Sequence, residues 1–258
     1  MNLNINALLS YSVPEPCDLL MQINVAHVEN QFVSSESLTV TPDILLTYID
    51  AEEGVGSRIV FGAESSFAFT YEANVQVNRA KVDLSTAEQT PVASLPSDVV
   101  KYLMPSRYCD PDFFEEIVPV QFGDLSGGPL IMAMSEWIFN NFEYVPGASD
   151  TDTTAIDSYQ SRQGVCRDFA HVLIGLARAA AIPARMVSAY ALRVVPQDFH
   201  AVVEVFLEDK WHLVDPTQMA KAEEIVIIGV GRDAADVSFL TSFGAVELIE
   251  LSVNVNSA

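Results

Sequence analysis

Hydrophobic and polar residues alternate in short runs from about Leu19 to Leu84, in LLMQINVAHV, SLTVTPDILLTYID, SRIVFG and SFAFTYEANVQVNRAKVDL, separated by Glu-Asn, Gly and Ser-rich breaks. Period-two alternation marks strands with one buried face, so this part predicts an all-β unit, a sandwich or small barrel. The alternation fails at STAEQTPVASLPSDVVKYLMPSRYCDPDFF, where prolines and scattered polar residues intervene. A boundary is expected there, giving a β-rich domain over 1–100 and a second domain over 101–258.

The second half changes period. Leu130, Ala133, Met134, Trp137, Ile138 and Phe142 recur at helical spacing, and Pro146-Gly147 is expected to end that helix. Phe169, Val172, Leu173, Leu176 and Ala180 form a second helical stripe with Cys166 in its first turn and Pro183 beyond its end. Three strand-like runs follow, ARMVSAYAL, HAVVEVFL and KWHLVD. A helix packed on an antiparallel sheet is an α+β arrangement.

Charge narrows the function. The 258 residues hold 13 basic against 35 acidic side chains, a net charge of −22, which repels nucleic acid and anionic membrane surfaces. The start, MNLNINALLSYSVPEP, has no basic region followed by a sustained apolar run, and no stretch of eighteen apolar residues occurs, so a cytoplasmic protein is expected. Cys17, Cys109 and Cys166 are widely spaced and odd in number, which fits reduced thiols and neither a disulfide framework nor a CxxC motif. His27 reads as an ordinary strand side chain.

Cys166 is the residue with chemistry to offer. At a helix start, unpaired N–H groups and the positive end of the helix dipole favour thiolate over thiol. Gly164 permits a tight approach, and a helix-start N–H can face a developing oxyanion. The alternative is a small buried hydrophobe. His171 lies five positions further on, about 140° around the helix, and is expected to be a packed core histidine rather than a partner.

His200 is better placed. If DFHAVVEVFLEDKWHLVDPT folds as a hairpin with a two-residue turn at Glu208-Asp209, Leu207 faces Lys210 and Val202 faces Asp215. His200 then lies diagonal to Asp215 on one face, with backbones roughly 7–8 Å apart. A three-residue turn without a bulge would place them on opposite faces. Pro216 ends the strand at Asp215, and His212 points away. Cys166, His200 and Asp215 thus take the roles of nucleophile, base and orienter. A Cys/His metal site is disfavoured, with no CxxC metal motif in the chain, and neither a metal nor a cofactor is expected.

The runs RQGVCRDFAHVLIGLARAAAIPARMVSAY and DFHAVVEVFLEDKWHLVDPT resemble the transglutaminase-like superfamily, whose core is related to papain-type proteases. The similarity extends over most of Tyr102 to Leu251 and implies a β-rich N-terminal domain followed by a papain-like core. By motif it implies Cys166 as nucleophile, His200 as general base and acid, and Asp215 as the orienting group. The chain departs from relatives at Val202, where an aromatic is usual, and in a hairpin turn without glycine. Comparison with papain-like enzymes makes Gln160 and Gln163 equal candidates for an oxyanion-hole side chain, beside the Cys166 N–H. The function expected is acyl transfer from peptide or glutamine-type amides through a thioester, ending in hydrolysis. Amine transfer or crosslinking, and a protein-binding module that kept the fold without turnover, are the alternatives.

Overall fold

A computed structural model describes residues 1–81 and 83–257. The first part forms β1 (Asn2–Ser12), β2 (Cys17–Met21), β3 (Gln31–Thr41), β4 (Thr47–Asp50), β5 (Ser57–Ala63) and β6 (Phe67–Val77). Helices α1 (Ile117–Phe122) and α2 (Gly127–Asn141) lead to β7 (Glu143–Tyr144), α3 (Ala155–Ser161), β8 (Gln163–Gly164) and α4 (Cys166–Ala179). Then come β9 (Ala184–Ala191), β10 (His200–Leu207), β11 (Lys210–Val214), β12 (Ile225–Gly231), α5 (Ala234–Val237), β13 (Leu240–Ser242) and β14 (Glu247–Ser257). Among the described residues no helix is long and apolar enough to cross a membrane.

Two four-stranded sheets, ordered β14-β1-β6-β3 and β13-β2-β5-β4, face each other as a sandwich. Leu3, Ile5 and Leu9 of β1 and Phe67, Phe69 and Tyr71 of β6 point inward at every second position, against Leu19, Met21, Ile59 and Phe61 of the other sheet. The same core takes in Tyr190, Phe199, Val226 and Ile228 from the second half of the chain. Strand β14 pairs with β1 over its length, from Leu3 opposite Ser257 to Ser12 opposite Glu247. The expected split into 1–100 and 101–258 does not describe this return, because a pairing that joins the chain's two ends leaves no local signature in the sequence.

The second layer is α+β. Its sheet runs β11-β10-β9-β12, all antiparallel, with α4 across one face against Ala184, Met186, Val203, Val205 and Leu207. Every residue of α4 from Asp168 to Arg178 is buried, not just the predicted stripe. Leu130, Ile131, Met134 and Ile138 of α2 and the ring of Phe114 enclose its other sides. A Cβ on Gly175 would come within 2.6 Å of the Phe114 ring, so only glycine allows that approach. Helix α2 ends at Asn141 rather than at Pro146-Gly147, because Glu143 and Tyr144 leave it to pair in parallel with Gln163 and Gly164.

Candidate active site

Three local devices place Cys166. The β7–β8 pair sets Tyr144 opposite Gly164, and Val145 N–H donates to Gly164 C=O at 2.9 Å. The Asp168 carboxylate, fully buried, accepts the Val165 N–H at 2.7 Å and the Ser149 hydroxyl at 2.5 Å, which caps α4. A Cβ on Gly164 would stand 2.5 Å from the Asp168 Cβ, so glycine is required where the chain turns into the helix. Cys166 is the first helical residue, and its side chain is half-buried and opens into a cleft of about 510 Å³.

The β10–β11 hairpin supplies the second half. Leu207 faces Lys210 and Val203 faces Val214, the register of a two-residue turn. Glu208 and Asp209 both have positive φ, 50° and 59°, so the turn takes the type I′ form without glycine. It is braced from outside: Glu88 N–H donates to Glu208 Oε1 at 3.2 Å, and Asp209 N–H donates to Thr90 Oγ1 at 3.2 Å.

That register brings His200 Nε2 within 2.9 Å of Asp215 Oδ2. Asp215 also accepts the Thr217 N–H at 2.9 Å, the Thr217 hydroxyl at 2.7 Å and the Ala220 N–H at 2.9 Å. Burial works against the Asp215 charge, yet His200, Thr217 and Ala220 together hold the carboxyl below its ordinary range. On the other side of the ring, His200 Nδ1 has no complete hydrogen bond among the described residues and adjoins the Cys166 sulfur. Burial disfavours the imidazolium, but Asp215 and Cys166 outweigh it and push His200 up to about 10.

The remaining residues singled out in the sequence fall elsewhere. Gln160 and Gln163 are exposed and do not line the cleft, and Gln163 Nε2 donates to Glu143 Oε2 at 3.4 Å. Neither is placed to meet an oxyanion, because α3 and β8 turn them to solvent. His171 is fully buried and stacked on Tyr108 with ring centroids 5.1 Å apart. His212 Nε2 donates to Leu207 C=O at 3.1 Å, away from Cys166, and His27 is exposed beside Glu36. Cys109 is buried and its thiol is pushed up by that burial.

One residue escaped the sequence reading. The Tyr144 phenol lies at the sulfur and backbone N–H of Cys166; burial first, then the charge at Cys166, raise it well above the ordinary tyrosine range, so it is a neutral donor. The signal that could have found it is Asn140-Asn141, two poor helix formers that end α2 ahead of it. The cleft wall carries the apolar side chains of Met186, Phe199, Val237 and Phe239, and among its polar residues are Arg107, Arg167 and the Asp198 carboxyl, raised by partial burial.

Residues 126–216 match the profile of the transglutaminase-like superfamily, a span that contains Cys166, His200 and Asp215. A crystal structure of a "Putative Cysteine Protease" from Cytophaga hutchinsonii is 33% identical with a TM-score of 0.95, covering 100% of this chain and 90% of that one. An uncharacterized Mycobacterium leprae protein, ML0607, is 30% identical over 117 residues, which span 42% of this chain and 42% of that protein. The periplasmic domain of TgpA from Pseudomonas aeruginosa is 17% identical with a TM-score of 0.43, over 82% of this chain and 76% of that one. The family profile and the 33%-identical crystal structure support a cysteine-based enzyme chemistry in general and a core of papain-like type. The chain belongs to the transglutaminase-like superfamily.

Proposed function

We propose that this chain is a cysteine hydrolase that cuts peptide or glutamine-type amide bonds through a thioester on Cys166. The observation that carries the reading is the 2.9 Å contact between His200 Nε2 and Asp215, with the opposite ring nitrogen beside a half-buried sulfur in the cleft. With Asp215 below its ordinary range and His200 raised to about 10, the imidazole holds its proton at neutral pH.

The Cys166 sulfur attacks the carbonyl carbon, and the carbonyl oxygen takes the electron pair as an oxyanion facing the Cys166 N–H and the Tyr144 hydroxyl. His200 Nδ1 gives its proton to the amide nitrogen, the C–N bond breaks and the amine leaves. In the thioester the sulfur no longer bears charge, so one of the groups that raised His200 is gone and its proton affinity falls. The ring then takes a proton from water, whose oxygen attacks the thioester; the C–S bond breaks, releasing the acid and the thiolate. A half-exposed Cys166 lets water reach the thioester, which supports hydrolysis.

A second reading, amine transfer, draws on Asp198, whose carboxyl in the cleft wall would attract a cationic amine. Incubating a glutamine peptide with and without methylamine, and weighing the products, separates the two: free acid supports the hydrolase, methylamide the transferase. Iodoacetamide should label Cys166 selectively below pH 7, and the selectivity should vanish in His200→Ala. Equally slow labelling of Cys17, Cys109 and Cys166 would sink the enzyme and leave a binding module. The three unpaired cysteines support a reducing, cytoplasmic setting.

A further inference from the structure

The run from Ala234 to Thr241 supplies one wall of the cleft, and it ends in β13. This strand stands at the edge of its sheet with β2 as its single neighbour. Leu240 faces Met21, Thr241 faces Leu20 and Ser242 faces Leu19. Gln22 N–H donates to Phe239 C=O at 3.1 Å and Phe243 N–H to Asp18 C=O at 3.0 Å, so the odd-numbered residues aim their backbone groups at β2. Leu240 and Ser242 therefore aim theirs outward. The Leu240 C=O is taken by the Ser238 hydroxyl at 2.7 Å. The Leu240 N–H and the Ser242 N–H and C=O have no protein partner among the described residues.

At Leu240 and Thr241 this edge borders the cleft, and Ser242 lies just beyond it. Adjacent strand residues project to opposite faces, and Leu240 packs on the sandwich core, yet both Leu240 and Thr241 line the cavity that holds Cys166. A cavity that touches both meets the strand along its edge rather than over one face. Unpaired edge groups are a template for another strand.

We propose that the acyl part of a polypeptide substrate binds in extended form as an added strand on the free edge of β13, hydrogen-bonded to Leu240 and Ser242. The inference rests on Cys166 being the nucleophile, and it names the substrate class as flexible polypeptide read through its main chain. The acyl part, rather than the leaving amine, needs this hold because it must stay seated through both halves of the reaction. Sheet β13-β2-β5-β4 of the sandwich thereby takes part in substrate binding.

The test uses an electrophile that needs no turnover. Acetyl-Ala-Ala-Ala-Gln vinyl sulfone, and versions N-methylated at each amide in turn, are reacted with the wild-type protein, and the Cys166 adduct is timed by mass spectrometry. Strand addition gives a period-two result: methylation at alternating amides slows the adduct roughly tenfold, and at the intervening ones it changes little. Ser242→Pro, which removes an outward N–H and suits an edge strand, should slow the parent compound by a similar factor. Equal rates across the methylated series would overturn the proposal, and that series decides the matter even if Ser242→Pro fails to fold. A Cys166 inert to both the vinyl sulfone and iodoacetamide would overturn the nucleophile itself, and this inference with it.

Discussion

His171 and His200 are both almost sealed from water, and their environments drive them in opposite directions. His200 stands between the Asp215 carboxylate and the Cys166 sulfur and is pushed up to about 10. His171 lies inside α4, where burial first, then the charges of Arg167 and Arg178, push it down to about 3. Its Nε2 accepts the Ala234 N–H at 3.2 Å, a bond that only the neutral ring can make. Burial alone would have lowered both; a buried anion beside one ring is what reverses the sign. The histidine on the Cys helix is thus held neutral by burial and packing, and the one on the distant hairpin is held charged by the carboxylate beside it.

The contrast can be broken most severely at His200. His200→Ala should lower peptide turnover by roughly 10³–10⁴, measured as kcat/KM on a glutamine peptide, while His171→Gln stays far closer to wild type. Next in size, Asp215→Asn should lower turnover about a hundredfold or more and move the His200 titration, followed by NMR, down from about 10 toward its ordinary value. A His200 midpoint that stays near 10 in this variant would mean that the carboxylate is not what holds the proton.

The two rings also predict opposite pH effects on stability. His200 has a folded-state value above its ordinary 6.5, so its contribution is complete below pH 6.5 and is lost as pH rises to about 10. His171 has a folded-state value of about 3, so the unfolded chain takes up a proton first as pH falls below 6.5, and stability drops. By pH 5 that loss should reach about 2 kcal/mol in urea titrations, and it should be missing in His171→Gln. The smallest effect is expected at the hairpin turn. Asp209→Gly, which relieves a left-handed residue, should raise stability by about 0.5–1 kcal/mol and leave both histidine titrations in place.

Much of this contrast could be read before any coordinates. Alternation and a turn length suffice to place the hairpin's facing residues, and the observed register is the two-residue one. The stripe on α4 located Cys166 in the first turn and set His171 apart. What stayed hidden has a common cause in contacts between distant segments. Nothing in α4 itself reveals that α2 and Phe114 enclose its outer sides. Tyr144 reaches Cys166 through a two-residue parallel pair too short to leave a pattern, and Gln160 and Gln163 were judged by sequence distance from Cys166, which the turn out of α3 makes irrelevant. Strand β1 lies outside the β runs expected from about Leu19 to Leu84, although Leu3, Ile5, Ala7, Leu9 and Tyr11 alternate with largely polar residues, and its pairing with β14 has no local signature.

The ladder of Glu143 with Gln163 and Tyr144 with Gly164 also clamps both ends of the segment running from 145 to 162. Gly147, Ser149 and Thr151 from that segment border the cleft. Exchanges at Gly147 or Thr151 can therefore reshape what the cleft admits, while Ser149, bonded to Asp168, keeps the start of the Cys helix in place. That makes the segment a natural place for lineages to diversify and for engineers to graft new selectivity.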